Sequence, residues 1–245
     1  MRPQPHAIGG ARARRTPPPH PTLAYHRRVN LLIYGAGGMG REIAWFVETL
    51  AQSEGGWGST TITFVDDELA GSVVNGFEVL SLADAARAHP GGAVVTAMGS
   101  SKARARAVDR AERLGLLSAP PILAPGARCS RWTQIGAGSV VCPGTVVTVN
   151  VDIGRHVQIN TGCTIAHDCV VHDFATLAPG VHVSGNVEIH PHAFLGTGAA
   201  VLNGTPDSPL VIGEGSRVGA GACVTRPVPA GETVVGVPAR SRRAT

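Results

Sequence analysis

The chain has 245 residues, of which 16% are charged and 4% aromatic, and it contains 32 glycines and 18 prolines. This length allows one large or two small domains, and the glycine content excludes a helical bundle or a coiled coil. Residues 1–28 contain six arginines and no acidic residue, whereas the whole chain carries a net charge of only +4. The rest of the chain is therefore slightly acidic, and its charge does not favour nucleic-acid binding.

Residues 1–28 also contain six prolines and no periodic apolar pattern, a composition typical of disorder. We expect a leader that neither the fold nor the activity requires. The chain shows no apolar run of the kind found in a signal peptide or a membrane span. Its five cysteines are odd in number and lack the spacing of a disulfide framework or a zinc site. These features predict a cytoplasmic protein with no membrane or nucleic-acid partner.

The first half, residues 29–121, alternates between strand and helix patterns, which predicts a small parallel sheet with helices on its faces. The expected elements are a strand at 29–34, a glycine-rich loop at 35–40, a helix, a strand that ends at Asp66 and Asp67, a helix capped by Ser81, a strand at 93–98 and a helix at 101–114. This βαβαβ unit is half of a Rossmann fold. Pro120 and Pro121 predict a hinge to the second half.

Gly35, Gly37 and Gly40 form a GxGxxG motif between a strand and a helix. Backbone amides at such a helix N-terminus favour a phosphate, and the Asp66–Asp67 pair can accept hydrogen bonds from a ribose or a base. We predict a nucleotide site formed by Gly35, Gly37, Gly38, Asp66 and Asp67. Two alternatives stay open at this point, an NAD-dependent dehydrogenase and a purely structural turn.

The second half, residues 122–245, carries a repeat with a period of six. Twelve consecutive register positions are aliphatic: Ile135, Val141, Val147, Ile153, Ile159, Ile165, Val171, Leu177, Val183, Ile189, Leu195 and Val201. Small or β-branched residues follow four positions later, from Ser139 to Thr205, and the register resumes at Ile212 after an insertion at 207–211. A period of six matches neither a helix nor strand alternation. It predicts short parallel strands that stack in successive coils.

The repeat resembles the hexapeptide-repeat proteins, whose fold is a left-handed parallel β-helix. The combination of LLIYGAGGMGREIA, FVDD, NTGCTIAHDCVV and VVGVPAR, spread over residues 29–240, resembles the PglD/NeuD family of sugar acetyltransferases. That resemblance implies a homotrimer, a nucleotide-linked sugar bound by the N-terminal domain, and acetyl-CoA bound by the β-helix between subunits. It also implies that no metal or redox cofactor takes part.

The resemblance further implies site residues. His167 matches the family's general base, and Asp168, where the family often has Glu, is placed to orient it. Gly185, Thr197, Gly219 and Ala220 match contacts to acetyl-CoA, and Asn160 matches an acceptor contact. Thr176 stands where some members carry a second histidine. The His167–His172 spacing also occurs in metal-binding β-helix enzymes, but a third histidine is missing from its expected place, so no metal is predicted.

The function expected on these grounds is acetyl transfer from acetyl-CoA to the amine of a nucleotide-linked amino sugar, by direct attack on the thioester with His167 as base. O-acetylation of a sialic-acid-like sugar is the main alternative, because both reactions would use the same machinery. An NAD-dependent oxidoreductase and a non-enzymatic scaffold are weaker alternatives. Binding of nucleotides and CoA, or of neither, would discriminate among these classes.

Overall fold

The computed structural model describes residues 30–52 and 60–242 of the chain. The predicted leader at 1–28 lies outside these residues and stays a prediction. Across the described ranges, no helix has both the length and the hydrophobicity needed to cross a membrane.

Within the described residues, the N-terminal part is a six-stranded sheet flanked by helices. Its elements are β1 (Asn30–Tyr34), α1 (Gly38–Gln52), β2 (Thr61–Val65), β3 (Val73–Val74), β4 (Phe77–Leu80), α2 (Leu82–Ala88), β5 (Ala93–Thr96), α3 (Ser101–Arg113) and β6 (Leu117–Ser118). The strand order is β3-β4-β2-β1-β5-β6, and only the pairing of β3 with β4 is antiparallel. The predicted βαβαβ order is present, with three further strands that the sequence analysis did not predict.

The predicted strand at 93–98 ends two residues early, at Thr96. Beyond Ala97, which still donates to the carbonyl of Tyr34, the chain turns into a loop whose carbonyls at Met98 and Gly99 accept hydrogen bonds from Arg104. The strand therefore ends where the Arg104 side chain of α3 takes over the carbonyls as hydrogen-bond acceptors. The apolar residues at 93–98 do not by themselves predict where the strand ends.

The C-terminal part is a parallel β-helix of very short strands. They are β7 (Ile122–Leu123), β8 (Arg128–Cys129), β9 (Gln134–Ile135), β10 (Val140–Val141), β11 (Val146–Val147), β12 (Asp152–Ile153), β13 (Gln158–Ile159), β14 (Thr164–Ile165), β15 (Val170–Val171), β16 (Thr176–Leu177), β17 (His182–Val183), β18 (Val187–Ile189), β19 (Phe194–Leu195), β20 (Ala200–Val201), β21 (Leu210–Ile212), β22 (Arg217–Val218), β23 (Cys223–Val224), β24 (Thr233–Val235) and β25 (Arg240–Ser241).

From β7 to β23, each strand pairs in parallel with the third strand after it, which gives the β-helix three faces, and β24 and the antiparallel β25 extend the first face. The first face runs from β7 through β10, β13, β16, β19 and β22 to β24, the second from β8 to β23, and the third from β9 to β21. We call the turn between the first and second faces the first corner, that between the second and third faces the second corner, and that between the third and first faces the third corner. Positions 18 residues apart thus lie one above the other in successive coils.

The predicted register is confirmed by burial. Each of the twelve aliphatic residues is the inward residue of its strand, and all but the half-buried Ile135 are at most 4% exposed. The small positions between them are buried as well, including Cys163 and Cys169. Because the coil interior is narrow, small side chains have to alternate with branched ones to fill it without voids.

Thr205 is the exception, and the predicted insertion at 207–211 is wrong. Thr205 is exposed, whereas Leu210 pairs with Val187 and takes the inward position. Coil hydrogen bonding continues to Gly204, whose amide donates to the carbonyl of Gly185 at 3.1 Å, and it resumes at Leu210, whose amide donates to the carbonyl of Asn186 at 3.1 Å. The inserted residues are therefore 205–209. A count of residues gives the length of such a loop but not its position, because only pairing shows where the coil resumes.

The junction between the two parts is packed and is not a hinge. Ala119, just before Pro120 and Pro121, donates to the carbonyl of Val94 in the sheet and accepts from the amide of Gly138 in the coil, at 2.7 and 2.6 Å. One hydrophobic cluster also joins residues of α1 and the sheet to four residues of the coil, which are Ile122, Ala124, Val140 and Cys142. The N-terminal part thus covers the first coils of the first face, where Val140, Gln158 and Thr176 are buried, whereas Arg217 at the other end of this face is exposed.

At the third corner, the rings of His156, Phe174 and His192 stack with centroids 5.2 Å apart. His156 is 1% exposed, and a ring nitrogen contacts the hydroxyl of Ser118 at 3.1 Å. Burial, reinforced by the charge of Arg155, lowers the pKa of His156 from 6.5 to about 4. As the pH falls, the unfolded chain therefore takes up this proton before the folded chain does.

This lowered pKa predicts loss of stability in mild acid. The contribution of neutral His156 is fully present above about pH 6.5 and is lost as the pH falls toward 4. In His156→Phe, which keeps the ring stack, the free energy of unfolding should fall by about 2 kcal/mol less between pH 7 and pH 5 than in the wild type. Urea unfolding at the two pH values measures this difference. The same pH dependence in both proteins would contradict the prediction.

Candidate active site

His167 lies at the second corner, two residues after the inward Ile165 of β14, and its side chain is 54% exposed. Its Nδ1 lies 2.8 Å from Oδ2 of Asp168, whose other oxygen accepts from the side-chain amide of Asn150 at 3.1 Å. An ionised carboxylate can only accept. Nδ1 therefore carries the proton, and Nε2 is left with a lone pair that can accept a proton from a substrate.

Backbone conformation helps to create this contact. Asp168 has a φ of 58° and Asn150, one coil below, has a φ of 57°, which is the left-handed region that Asn and Asp adopt more readily than most residues. The tight corner places the Asp168 carboxylate between the imidazole and the Asn150 amide. The sequence analysis did not include Asn150, although its position 18 residues before Asp168 is a signal that could have identified it.

Gly185 lies directly against the imidazole. A Cβ on Gly185 would stand 2.5 Å from Cε1 and 2.7 Å from Nε2 of His167, closer than van der Waals contact allows. The amide of the next residue, Asn186, donates to the carbonyl of His167 at 3.1 Å. The position therefore requires glycine for the ring of His167 to rest where it does.

The other β-helix residues predicted to contact the substrates lie at the first corner. Thr197 is exposed there, and Gly219 and Ala220 follow in the next coil. Asn160, at the same corner, donates from its side-chain amide to the carbonyl of Leu177 at 2.8 Å. The structure thus gathers His167, Asp168 and Gly185 at one corner of the chain and these four residues at another.

The glycine-rich loop connects β1 to α1 at the carboxyl edge of the sheet. Gly35 has a φ of 109°, and a Cβ on Gly40 would lie 2.0 Å from the carbonyl oxygen of Gly35. Around the α-carbons of Gly37 and Gly38 there is instead open space, with no atom within 4 Å of an added Cβ. Gly35 and Gly40 therefore shape the turn, while Gly37 and Gly38 leave its surface accessible.

Asp66 and Asp67 both support this edge of the sheet. Asp66 accepts from the amide of Ala36 in the glycine-rich loop at 3.2 Å. Asp67 accepts from the amide of Leu82 at the start of α2, at 2.9 Å, and pairs with Arg110 at 2.7 Å. The Leu82 amide, followed by Arg110, lowers the pKa of Asp67. Each carboxylate is thus already held in place, which the motif alone did not indicate.

The strand order places the main crevice of the sheet between β1 and β5. The chain builds β2 and β4 on one side of β1 and β5 on the other, and ligands of such sheets bind at the carboxyl ends of the strands where this reversal occurs. Ala36 belongs to the cluster that contains Cys142, the residue one coil below Asn160. Gln158, two residues before Asn160, donates from its side-chain amide to the carbonyl of Thr96 at the end of β5 at 3.1 Å. The carboxyl end of β5 therefore lies against the first face, next to the first corner of the β-helix.

Arg104 on α3 ties this crevice to the β-helix and was not predicted. Its guanidinium is fully buried and donates to the carbonyl of Met98 at 2.9 Å, to the carbonyl of Phe174 at 2.6 Å and to the hydroxyl of Thr176 at 2.8 Å. Burial lowers the pKa of Arg104 to about 10, which still leaves it charged at neutral pH. Thr176 thus anchors this arginine at the place where some family members have a second histidine.

Known proteins share both parts of this architecture. The family model of the PglD N-terminal domain matches residues 30–111. GDP-perosamine N-acetyltransferase of Escherichia coli O157:H7 is 38% identical over 214 residues, which cover 86% of this chain and 95% of that protein. The chain belongs to the PglD-like family of sugar acetyltransferases. It is therefore an acyltransferase, and the predicted family and enzyme class are confirmed.

Solved structures of PglD-like proteins agree over nearly the whole chain. The acetyltransferase domain of PglB from Neisseria gonorrhoeae FA1090, in complex with acetyl coenzyme A, has 32% identity and a TM-score of 0.78, covering 88% of this chain and all of that one. A histidine-to-asparagine variant of perosamine N-acetyltransferase from Caulobacter crescentus, in complex with CoA and GDP-perosamine, has 28% identity and a TM-score of 0.77, covering 88% and 97%. The predicted left-handed β-helix is confirmed as the fold of this PglD-like chain.

Proposed function

We propose that this chain transfers the acetyl group of acetyl-CoA to the amine of a GDP-linked amino sugar, with His167 as general base. The observation that carries the proposal is the hydrogen-bonded chain from Asn150 through Asp168 to His167, which leaves Nε2 as the proton acceptor. The relative of 38% identity, a GDP-perosamine N-acetyltransferase, supports the substrate class.

The chemistry follows from these positions. The sugar amine attacks the thioester carbonyl carbon, and Nε2 of His167 takes the proton that the nitrogen loses. A tetrahedral intermediate forms, and its oxyanion needs donors that are already oriented. In the described part of the chain no acceptor is found for the amide of Gly185, which lies beside the imidazole. When the intermediate collapses, the carbon–sulfur bond breaks and the amide forms. The proton held by His167 passes to the sulfur, so that CoA leaves as the thiol and the imidazole is neutral again.

A complete site requires a second copy of the chain. His167 lies at the second corner, whereas Asn160, Thr197, Gly219 and Ala220 lie at the first corner, beside the nucleotide crevice. The second face between these corners carries exposed apolar side chains, including Val146 on its surface and Val149 and Leu202 at its edge. We propose a homotrimer in which these faces meet and each His167 serves the acceptor bound by a neighbour.

The five described cysteines are all free thiols, as in proteins of a reducing compartment. We therefore propose that the reaction takes place in the cytoplasm.

Product analysis tests the proposed reaction. The full chain is incubated with acetyl-CoA and GDP-perosamine, release of CoA is followed with a thiol reagent, and the sugar is examined by mass spectrometry before and after mild base. We expect one acetyl group that survives base, as an amide does. An acetyl group removed by base would indicate an ester and the O-acetyltransferase alternative. No transfer to any of a panel of nucleotide-linked amino sugars would overturn the proposal.

The glycine-rich loop gives a separate prediction for the acceptor. Gly37 has room for a side chain, so Gly37→Asp should fold while its carboxylate repels the phosphates of the nucleotide. We expect KM for the nucleotide sugar to rise about tenfold or more, with KM for acetyl-CoA unchanged. Gly37→Ala fits the same space without charge and serves as the matched control. Equal effects of the two variants on steady-state kinetics would contradict a phosphate site at this loop.

A further inference from the structure

Three side chains converge on the third face, which follows the corner that holds His167. His172 follows β15, Glu188 lies in β18, and His190 follows β18. Oε1 of Glu188 lies 2.8 Å from Nε2 of His172 and 3.4 Å from Nε2 of His190. The three candidate ligand atoms lie within 4.8 Å of one another, and all three side chains are partly exposed. Two imidazoles therefore share one carboxylate at the surface.

The coil geometry explains this convergence. Val171 pairs with Ile189, so His172 and His190 occupy equivalent positions in successive coils, and their ring centroids are 5.3 Å apart at 81°. The equivalent positions in the coils below and above are Gly154 and Gly213. The space beside these glycines is filled, because an added Cβ would lie 2.3 Å from Oδ1 of Asp173 at Gly154 and 2.4 Å from the amide nitrogen of Ala230 at Gly213. A ligand can reach the imidazoles from solvent instead, since the side chains of His172 and His190 are 39% and 37% exposed.

Among the described residues, the carboxylate of Glu188 forms ion pairs with the two histidines and has apolar neighbours on either side. Its neighbours across the third face are Val170 and Val211, and the ion pairs of Glu188 among the described residues are those with His172 and His190. A recess next to His172 is lined by Asp152, Gly154 and Asp173. The two acidic residues make the region attractive to a cation, and the recess leaves room for water.

This ligand set matches the preference of zinc. Two imidazole nitrogens and one carboxylate oxygen, with a water in the fourth position, form a known class of Zn²⁺ site. Metal–ligand distances of about 2.0–2.2 Å in a tetrahedron separate the ligand atoms by roughly 3.4 Å. The observed separation of 3.4 Å agrees with that value, the separation of 2.8 Å is shorter, and no two of the three atoms are more than 4.8 Å apart, so small side-chain rotations are sufficient. In the hydrogen-bonded trio, the lone pairs of the Glu188 carboxylate face the protons on Nε2 of the two imidazoles. In the metal site, the carboxylate and both Nε2 atoms would direct lone pairs at the metal.

We propose that His172, Glu188 and His190 form a divalent-cation site that binds Zn²⁺ and links two successive coils. The site lies on the third face, whereas His167 and Gly185 lie at the second corner, so the metal takes no part in acetyl transfer. A bare hydrogen-bonded trio is the competing explanation of the same contacts. The two explanations differ in what they require of Glu188, because a hydrogen bond needs only an acceptor whereas the metal site needs its charge.

Metal titration of the full chain distinguishes them. After removal of metal by a chelator, Zn²⁺ is titrated calorimetrically and Co²⁺ by visible absorption, which reports tetrahedral geometry. We expect one ion per chain and an intense tetrahedral Co²⁺ spectrum. Glu188→Gln, which keeps the acceptor and the shape, and His190→Asn should each weaken binding at least about tenfold. His89→Asn, a histidine at the end of α2, is the control and should bind as the wild type does.

Several outcomes would overturn the proposal. They are wild-type binding no tighter than that of Glu188→Gln, an octahedral Co²⁺ spectrum, or equal weakening in His89→Asn. Thermal unfolding offers a further check, because a ligand that binds only the folded chain raises Tm. Zn²⁺ should raise Tm of the wild type and not that of Glu188→Gln. Acetyl transfer should be the same before and after chelation, so loss of activity on chelation would also contradict a site outside the reaction.

Discussion

Replacement of His167 by alanine is expected to lower kcat at least about a hundredfold, since general-base assistance contributes about 10² to 10⁴ in rate. KM for acetyl-CoA should stay near the wild-type value, because we assign the thioester to backbone amides and not to the imidazole. Asp168→Asn should cost less, because it weakens the orientation of the ring that the 2.8 Å contact provides and leaves the base in place.

Steady-state kinetics with both substrates measure this effect. Circular dichroism and light scattering of the variant show whether the fold and the oligomer persist, and they should, because the imidazole is half-exposed. His89→Ala, in the N-terminal part, is the matched control for loss of a histidine. If His167→Ala retained more than about a tenth of wild-type turnover, the loss of kcat would be smaller than the contribution of a general base. Another group would then have to take the proton.

Gly185→Val should have an effect of similar size for a different reason. The first atom of any side chain here would overlap the imidazole, at 2.5 Å from Cε1. The ring can swing away because it is half-exposed, so the protein should fold with its base displaced. We expect kcat to fall toward that of His167→Ala, by about 10². The two changes should not be additive, because both remove the same interaction.

The double variant His167→Ala/Gly185→Val makes this test sharper. Without the imidazole, valine at position 185 has no ring to displace, so the double variant should be about as active as His167→Ala alone. A further large loss in the double variant would mean that Gly185 acts independently of His167, for example only through its amide. Urea unfolding of each variant separates these effects from loss of stability.

The coil could be predicted from the amino-acid pattern because its physics is local and repeated. Each strand of the coil places one aliphatic residue inward. A shift of the register by one residue would therefore expose the whole aliphatic series. Residues from Val141 to Val201 are buried as that register requires. The prediction that Thr205 is buried is wrong because a loop interrupts the repeat there. The pairing of Leu210 with Val187, which shows where the repeat resumes, is a contact between successive coils and is not visible in the sequence.

The short strands of the N-terminal sheet were harder to predict. β3 and β6 contain two residues each, too few to show an alternation, and β4 is stabilised by its pairing with β2. Arg104 was missed for a related reason. A charged residue in a helix usually faces solvent, and only the approach of the coil shows that its guanidinium is enclosed by carbonyls.

The candidate site was predictable in part. The His167–Asp168 contact and the proximity of Gly185 agree with the roles expected of those residues. Asp67 accepts a hydrogen bond from the Leu82 amide and forms an ion pair with Arg110. A motif does not reveal these contacts, because both partners are distant in sequence. The separation of His167 from Asn160 also depends on which corner each residue occupies, and this follows only from the register of the coil.

Complementation between two inactive variants tests the central claim, that the active site is shared between neighbouring chains. His167→Ala lacks the base, and Gly37→Asp impairs the acceptor site, so at low concentrations of the nucleotide sugar the first should keep about a hundredth of the wild-type rate or less and the second about a tenth or less. The two variants are co-expressed with different tags, mixed oligomers are purified through both tags, and acetyl transfer is measured. If the site pairs His167 of one chain with the crevice of the next chain around the trimer, each purified mixed trimer should hold one intact site, about a third of the wild-type number. If mixed oligomers of confirmed composition stay as inactive as the separate variants, each site lies within a single chain and the account is wrong.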